Sequence, residues 1–287
     1  MIDRLAIIGV GLIGSSLALA LKQAGKVGEV VGFGRNRDNL QTGIDLGVLD
    51  RFEDSIAATV AAADMVVVAV PLGAMQSVFA ELATSVRANA IITDVGSSKR
   101  SVVDAAQADL GPLMARFVPG HPIAGAEKSG VEAGYAELYQ GRRVILTPSP
   151  ETDADAVARV DAMWRDCGAS IEYLGIEHHD KVLAATSHLP HMLAYALVHH
   201  LSNLNEHEEI FRYSAGGFRD FTRIASSDPV MWRDVCLANS KPLVELIEQY
   251  QQELDRVAAA IRTNDGDELL RLFGRAKSER DSLIGNC

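Results

Sequence analysis

Gly9-Val10-Gly11-Leu12-Ile13-Gly14 is a run whose residue types and spacing can hold a phosphate. It follows a short apolar stretch, Leu5 to Ile8, and opens a helical pattern over 14–24 in which Leu17 and Leu21 sit among small residues. A glycine run alone is weak evidence, because glycine-rich turns are common. Placed between a strand and a helix it reads as a dinucleotide-binding loop. The first glycine makes the tight turn, the second admits a pyrophosphate to the backbone, and the third lets helix and strand pack closely. The helix N-terminus then offers unpaired N–H groups and a partial positive charge. Gly9, Gly11, Leu12, Ile13 and Gly14 are the expected cofactor-binding residues. Val70 and Pro71, which close the run from Met65, are grouped with them.

An acid about 20 residues further on would bind the ribose 2′-hydroxyl of NAD. The chain instead has Gly32-Phe33-Gly34-Arg35-Asn36-Arg37, with no carboxylate at Gly34. Arg35 and Arg37 can pair with a 2′-phosphate, so NADP is favoured and NAD remains an alternative.

His121-Pro122-Ile123-Ala124-Gly125 follows another apolar strand-like segment. A histidine there, near the cofactor edge of a sheet, suits a hydrogen bond to a substrate hydroxyl. It can accept the proton lost as hydride leaves the same carbon. Taken alone, a histidine before proline is more often a turn residue. Asp94-Val95-Gly96-Ser97-Ser98-Lys99 also follows a strand; its hydroxyls can bond a substrate or a histidine, or cap a helix.

Apart from His121, the chain's 8 histidines lie between His178 and His207. His188-Leu189-Pro190-His191 has a usable metal spacing, but HExxH is absent and no cysteine is near in sequence, so no metal is expected. His178, His179, His199, His200 and His207 read as surface or helix-end residues. His188 and His191 fall in an otherwise apolar helix, where polar groups need partners, and are candidates to face a ligand. In the segment from Gly216 to Ala225, Arg223 can clamp a carboxylate and Asp220 can orient Arg223 or a histidine. The alternative there is a helix-cap salt bridge worth little.

These groups need a scaffold. The strand-like runs Leu5–Ile8, Val30–Phe33, Met65–Val70, Ala90–Asp94, Phe117–Val118 and Val144–Leu146 alternate with helical patterns. Continuous β-branched runs of this kind read as parallel strands buried on both faces, an α/β Rossmann-type doubly wound sheet. A helix over 154–166 and a strand over 171–174 complete a dinucleotide-binding domain at 1–175. Residues 176–287 form an all-helical substrate and dimerisation domain. There the segment from His179 to Leu201 reads as one helix, and Leu243, Leu246, Ile247, Tyr250, Leu254, Val257 and Ile261 form one apolar stripe.

At 287 residues, about two domains are expected. The 27 basic against 38 acidic residues leave a net charge of −11, which argues against nucleic acid or an anionic membrane as partner. Apolar runs break well before the ~18–20 residues of a membrane span. Cys167, Cys236 and Cys287 share no CxxC spacing and suit a reducing cytoplasm, and no signal peptide is expected.

Taken together, these motifs resemble the prephenate dehydrogenase family, which includes arogenate and cyclohexadienyl dehydrogenases. The resemblance runs over nearly the whole chain. It is carried by Gly9 to Gly14, Asp94 to Lys99, His121 to Gly130, Ser187 to His191, and Asp220-Phe221-Thr222-Arg223 followed by Ser227 to Asp234. It implies NAD(P)-linked oxidative decarboxylation of a cyclohexadienol, prephenate or arogenate, in tyrosine biosynthesis. It assigns His121 as the catalytic histidine on the ring hydroxyl and Ser97 as support of that histidine and the hydroxyl. Arg223 would bind the ring carboxylate, and His191 would be a second substrate-site histidine with Asp220 as its orienting partner. Glu127 would belong to a gating loop, and Trp232 would reach a neighbouring subunit's site, since the family is dimeric through its helical domain. Many NAD-using members carry an acid where this chain has Gly34. Prephenate versus arogenate stays open, as does feedback by tyrosine as a competitive inhibitor. The rivals are another NADP-dependent reductase with a helical second domain, which would lack the two histidine motifs, and a non-catalytic dinucleotide sensor, which would need no His121 or Arg223.

Overall fold

The computed structural model describes residues 1–126 and 128–284. The chain divides into two compact units, Met1–Ser240 and Lys241 onward.

The first unit begins with β1 (Ile2–Ile8), α1 (Leu12–Gln23), β2 (Val27–Phe33), α2 (Arg37–Asp45), β3 (Arg51–Phe52), α3 (Ile56–Val60) and β4 (Met65–Val68). It continues through α4 (Met75–Ser85), β5 (Ile91–Asp94), α5 (Arg100–Asp109) and β6 (Phe117–Val118). Six parallel strands pair in the order β3-β2-β1-β4-β5-β6. The order reverses beside β1, which is where open α/β sheets bind their ligands, at the carboxyl ends of the strands. The sheet is buried on both faces because its residues alternate between two cores. Leu5, Ile7 and Val67 pack with Leu17 and Leu21 of α1 on one face. Ala6, Ile8, Val66 and Val68 pack with Ile56 and Phe79 on the other.

A second sheet departs from the sequence reading. Val144–Leu146 and the strand near 171 do not extend the doubly wound sheet. They form, with β7 (Gly120–Pro122), a three-stranded sheet β7-β8-β9, where β8 is Arg143–Leu146 and β9 is Ser170–Tyr173. β7 runs antiparallel to β8, and β8 parallel to β9. Pro119, which has no N–H to give a ladder, separates β6 from β7, and its carbonyl accepts from Thr147 N at 3.0 Å. His121 is therefore on a strand of the second sheet. α6 (Ala154–Asp166) covers β9.

Beyond β9 all described residues are helical or in connections: α7 (Ile176–Leu183), α8 (Leu189–Ser202), α9 (His207–Arg212), α10 (Gly216–Thr222), α11 (Pro229–Ala238), α12 (Ser240–Arg262) and α13 (Gly266–Ile284). The single helix expected from His179 to Leu201 is interrupted by a wide π turn at Ala184–His188. Pro190, in the first turn of α8, cannot donate to the carbonyl four residues before it, and the turn opens there. In the second unit, α12 and α13 are joined by an ion pair between Arg256 and Glu268 at 2.7 Å. Val244, Leu254 and Ile261 of α12 and Leu270 and Phe273 of α13 are exposed.

Candidate active site

The glycine loop has the shape its spacing implies. Gly9 has φ +100°, and a Cβ there would lie 2.3 Å from Ala69 O. A Cβ on Gly14 would lie 2.6 Å from Gly9 O and 2.9 Å from Ile7 Cγ2. Gly11 differs: a Cβ would meet nothing within 4 Å, so the backbone there faces open space. Gly11 caps α1 without a side-chain hydrogen bond, and no acid stands in the first turn. The N–H groups of that turn are thus presented to an anion without a competing carboxylate. Leu12 and Ile13 anchor the turn against the core, and Val70 lies beside Gly9. Pro71 follows it, exposed. The loop fits a dinucleotide pyrophosphate.

At the end of β2, Gly34 is half-buried and Arg35 exposed, with no carboxylate between them. Arg37 is already engaged: it pairs with Asp54 at 2.7 Å and lies over the Phe52 ring at 5.4 Å.

At the end of β5, Asp94 is fully buried, and so is Lys99. Lys99 Nζ donates to Asp94 Oδ2 at 2.5 Å and to Gly120 O at 2.6 Å. Asp94 also accepts from Gly96 N at 2.7 Å and Gly120 N at 3.1 Å. The ion pair thereby ties the end of the first sheet to the residue before His121. Burial pushes the Lys99 ammonium down, and the Asp94 charge opposes this.

His121 is 9% exposed, so it is shielded but not sealed. Its Nδ1 lies 2.9 Å from Nε2 of His179. His179 Nδ1 lies in turn 2.8 Å from Asp180 Oδ1. Asp180 also accepts from the backbone N–H groups of Lys99, at 2.7 Å, and Arg100, at 2.9 Å, and from Ser98 Oγ at 3.3 Å. α7 is so docked through one carboxylate onto the N-terminus of α5. The reading of His179 as a surface or helix-end residue is wrong: the side chain is fully buried, because Asp180 brings its helix down onto α5. Burial first, then the charges of His179, Lys99 and His188, hold His121 well below the ordinary imidazole range. Burial would raise Asp180, but the hydrogen bonds from His179, Lys99 and Arg100 win and keep its carboxyl low.

Ser97, the expected support of His121, is half-buried and makes no hydrogen bond among the described residues. His179 takes that place at Nδ1. His188 is buried; its Nδ1 meets Asn239 Nδ2 at 3.0 Å, while its Nε2 has no hydrogen-bond partner among the described residues. Burial pushes it down to about 4. His191 is half-buried, its Nδ1 2.8 Å from Ser187 O, and its ring stacks on Trp232 with centroids 3.7 Å apart. Trp232 packs within its own chain, against His191 and edge-on to His188, and its Nε1 is buried with no hydrogen-bond partner among the described residues. Burial lowers His191, the Ser187 bond opposes this, and the Arg223 charge lowers it further. Arg223 therefore lies in the field of His191. Asp220 is exposed and makes no hydrogen bond or ion pair among the described residues. It does not orient His191, whose Nδ1 is held by the Ser187 carbonyl of the π turn. Glu127 lies outside the described residues. Among those described, no group of three His, Cys, Asp or Glu side chains is placed to hold a metal.

His179, Asp180, Lys99 and Asn239 were missed as site residues. The one local signal was the adjacency of His179 and Asp180, two groups that can share a proton.

Residues 17–173 match the nucleotide-binding domain of prephenate dehydrogenase, and residues 176–275 match its dimerization domain. The chain belongs to the prephenate dehydrogenase family. It is 40% identical over 282 residues to the cyclohexadienyl dehydrogenase of Zymomonas mobilis, covering 98% of this chain and 96% of that one. It is 38% identical to the prephenate dehydrogenase of Bacillus subtilis, over 99% of this chain and 76% of the relative. Among solved structures, the prephenate dehydrogenase of A. aeolicus, in complex with hydroxyphenyl propionate and NAD⁺, superposes with a TM-score of 0.92 at 36% identity, covering 99% of each chain. As a member of this family the chain is an oxidoreductase with a pyridine nucleotide cofactor.

Proposed function

We propose that the chain catalyses the oxidative decarboxylation of prephenate, arogenate or both, giving 4-hydroxyphenylpyruvate or tyrosine. The observation that carries this reading is His121: a shielded imidazole backed by His179, whose burial disfavours its charged form, in a family member whose glycine loop fits a dinucleotide. The loop from Gly9 to Gly14 would hold a pyridine nucleotide, which would supply the acceptor for the hydride of the hydroxyl-bearing ring carbon. His121 accepts the hydroxyl proton. The resulting dienone is a vinylogous β-keto acid, and loss of carbon dioxide restores aromaticity. The protein mainly has to orient the ring and stabilise charge.

Arg223 binds the ring carboxylate as a charged fork, with His191 and Trp232 as the wall beside it and His188 Nε2 as a further donor to substrate. Ser97 bonds the substrate hydroxyl. Arg35, exposed at the end of β2 with no acid at Gly34, favours NADP over NAD. The apolar residues exposed on α12 and α13 pair two copies as a homodimer. The enzyme works in the cytoplasm, and tyrosine competes at the substrate site.

The test is a two-by-two assay, prephenate or arogenate with NAD⁺ or NADP⁺, following the reduced nicotinamide. Turnover in any cell supports the reaction, and an NADP⁺ advantage supports the Arg35 argument. Silence in all four cells, from folded protein that binds cofactor, overturns the reading in favour of a sensor or another reductase.

A further inference from the structure

We infer that His179 and Asp180 fix which nitrogen of His121 is basic, and that His179 receives the proton His121 passes inward. This rests on the reading of His121 as the group that meets the substrate hydroxyl.

Two donors at Asp180 have no choice of role. A backbone N–H can only donate, so Lys99 N and Arg100 N commit both Asp180 oxygens to accepting. The carboxylate is ionised, so the 2.8 Å contact with His179 Nδ1 requires the proton on that nitrogen. Neutral His179 then has only a lone pair at Nε2. The 2.9 Å contact with His121 therefore requires the proton on His121 Nδ1. Neutral His121 is left with its lone pair at Nε2, the nitrogen not engaged by His179. One carboxylate thus sets two tautomers in series, from the N-terminus of α5 outward.

The same geometry serves the reaction. As the substrate O–H bond breaks, its proton forms a bond to His121 Nε2 and its electron pair becomes the second carbon–oxygen bond, while the C–H bond of the same carbon breaks and its hydride would pass to the pyridine nucleotide. The His121 Nδ1–H bond breaks, and the proton joins His179 Nε2. His121 returns to a neutral ring, and the positive charge rests on His179 beside Asp180. The other charged or titratable groups facing the pair are Lys99, Asp94 and His188. Lys99 is held by Asp94 and Gly120 O, so its charge is locally offset. A cation left on His121 would face Lys99 and His188 with no carboxylate in contact among the described residues; on His179 it still feels Lys99 but contacts Asp180. His179 is thus a positioning residue with a share in the proton's path.

Two measurements test this. The first needs neither substrate nor cofactor: ¹⁵N–¹H correlation spectra of the histidine rings in the full chain near pH 7, assigned with His121→Asn and His179→Gln. A protonated Nδ1 and a bare Nε2 on His121 are expected; a protonated Nε2 overturns the tautomer argument. The second compares His179→Leu with His179→Gln, whose amide oxygen can still accept from His121 Nδ1. A histidine left in the wrong tautomer can lose up to about 10⁴ in turnover in hydrolases built on a similar pairing. His179→Leu should lower kcat by roughly 10–100-fold with KM little changed and a displaced acid limb in the pH profile, and His179→Gln should recover part of the loss. Wild-type kcat in His179→Leu, or an equal loss in both variants with the pH profile unmoved, overturns the relay. If the wild-type chain oxidises neither substrate, the functional reading fails, and the ring spectra still decide the tautomers.

Discussion

Lys99 and Asp94 form a fully buried ion pair, Nζ to Oδ2 2.5 Å, and the same ammonium holds Gly120 O at 2.6 Å. This contact joins the end of β5 to the strand that carries His121. Removing one partner of such a pair leaves an uncompensated buried charge, at a cost of about 3–5 kcal/mol. Lys99→Met should lower the unfolding free energy by that order, measured by urea denaturation. It should also reduce turnover, because Gly120 loses its anchor. Unchanged stability would mean that the pair contributes nothing to the fold.

The glycine loop separates packing from binding. A Cβ at Gly14 would meet the loop's own backbone, whereas at Gly11 it would meet nothing within 4 Å. Gly14→Ala should lower the melting temperature. Gly11→Ala should leave it near wild type and weaken dinucleotide binding at least about tenfold, since the methyl enters the space of the pyrophosphate. Fluorescence titration with NADP⁺ and NAD⁺ reads the second effect; wild-type affinity in Gly11→Ala would place the cofactor elsewhere.

His121→Asn should retain substrate binding and lose about 10²–10⁴ in kcat. The wild-type pH profile follows from the same residue. His121 must be neutral to accept a proton, so kcat/KM rises with pH through its pKa. Burial, with His179, Lys99 and His188, holds that pKa well below 6.5. The acid limb should therefore lie below pH 6.5, with a flat profile through neutrality. A limb centred above 6.5, or wild-type kcat in His121→Asn, would remove the residue from this role.

Acid should also unfold the protein early. His121, His179 and His188 are all depressed in the folded chain, first of all by burial, so each binds its proton more readily once unfolded. Their contribution is intact above the unfolded value near 6.5. It is lost as pH falls through the folded values, which for His188 is about 4. Melting temperature measured from pH 7 to 4 should decline over this window, and less steeply in His188→Asn.

Arg223→Ala should raise KM about 10–100-fold, the loss expected for charged hydrogen bonds to a carboxylate, with a smaller effect on kcat. Initial-rate kinetics check this, and an unchanged KM would take Arg223 out of the carboxylate site.

The sequence made the local features legible. The glycine loop needs only a strand before it and a helix after it, and both are written in the residues around Gly9 to Gly14. The parallel sheet followed from runs such as Met65 to Val68, which are apolar on both faces. The second sheet was not legible, because Val144–Leu146 looks locally like any buried strand and only Pro119 marks the break. The His121–His179 contact spans 58 residues of sequence and exists because Asp180 docks α7 onto α5. No periodicity encodes that docking. The π turn before Pro190 had a visible cause, a missing N–H, but its effect on where His188 points required the fold.

The central claim is that oxidation and decarboxylation are coupled at a site built around His121. The most direct measurement is the stoichiometry of reduced nicotinamide, carbon dioxide and aromatic product, from prephenate and from arogenate. The account predicts one-to-one-to-one for at least one of the two substrates. Nicotinamide reduction without release of carbon dioxide, or no reaction with either, would contradict it.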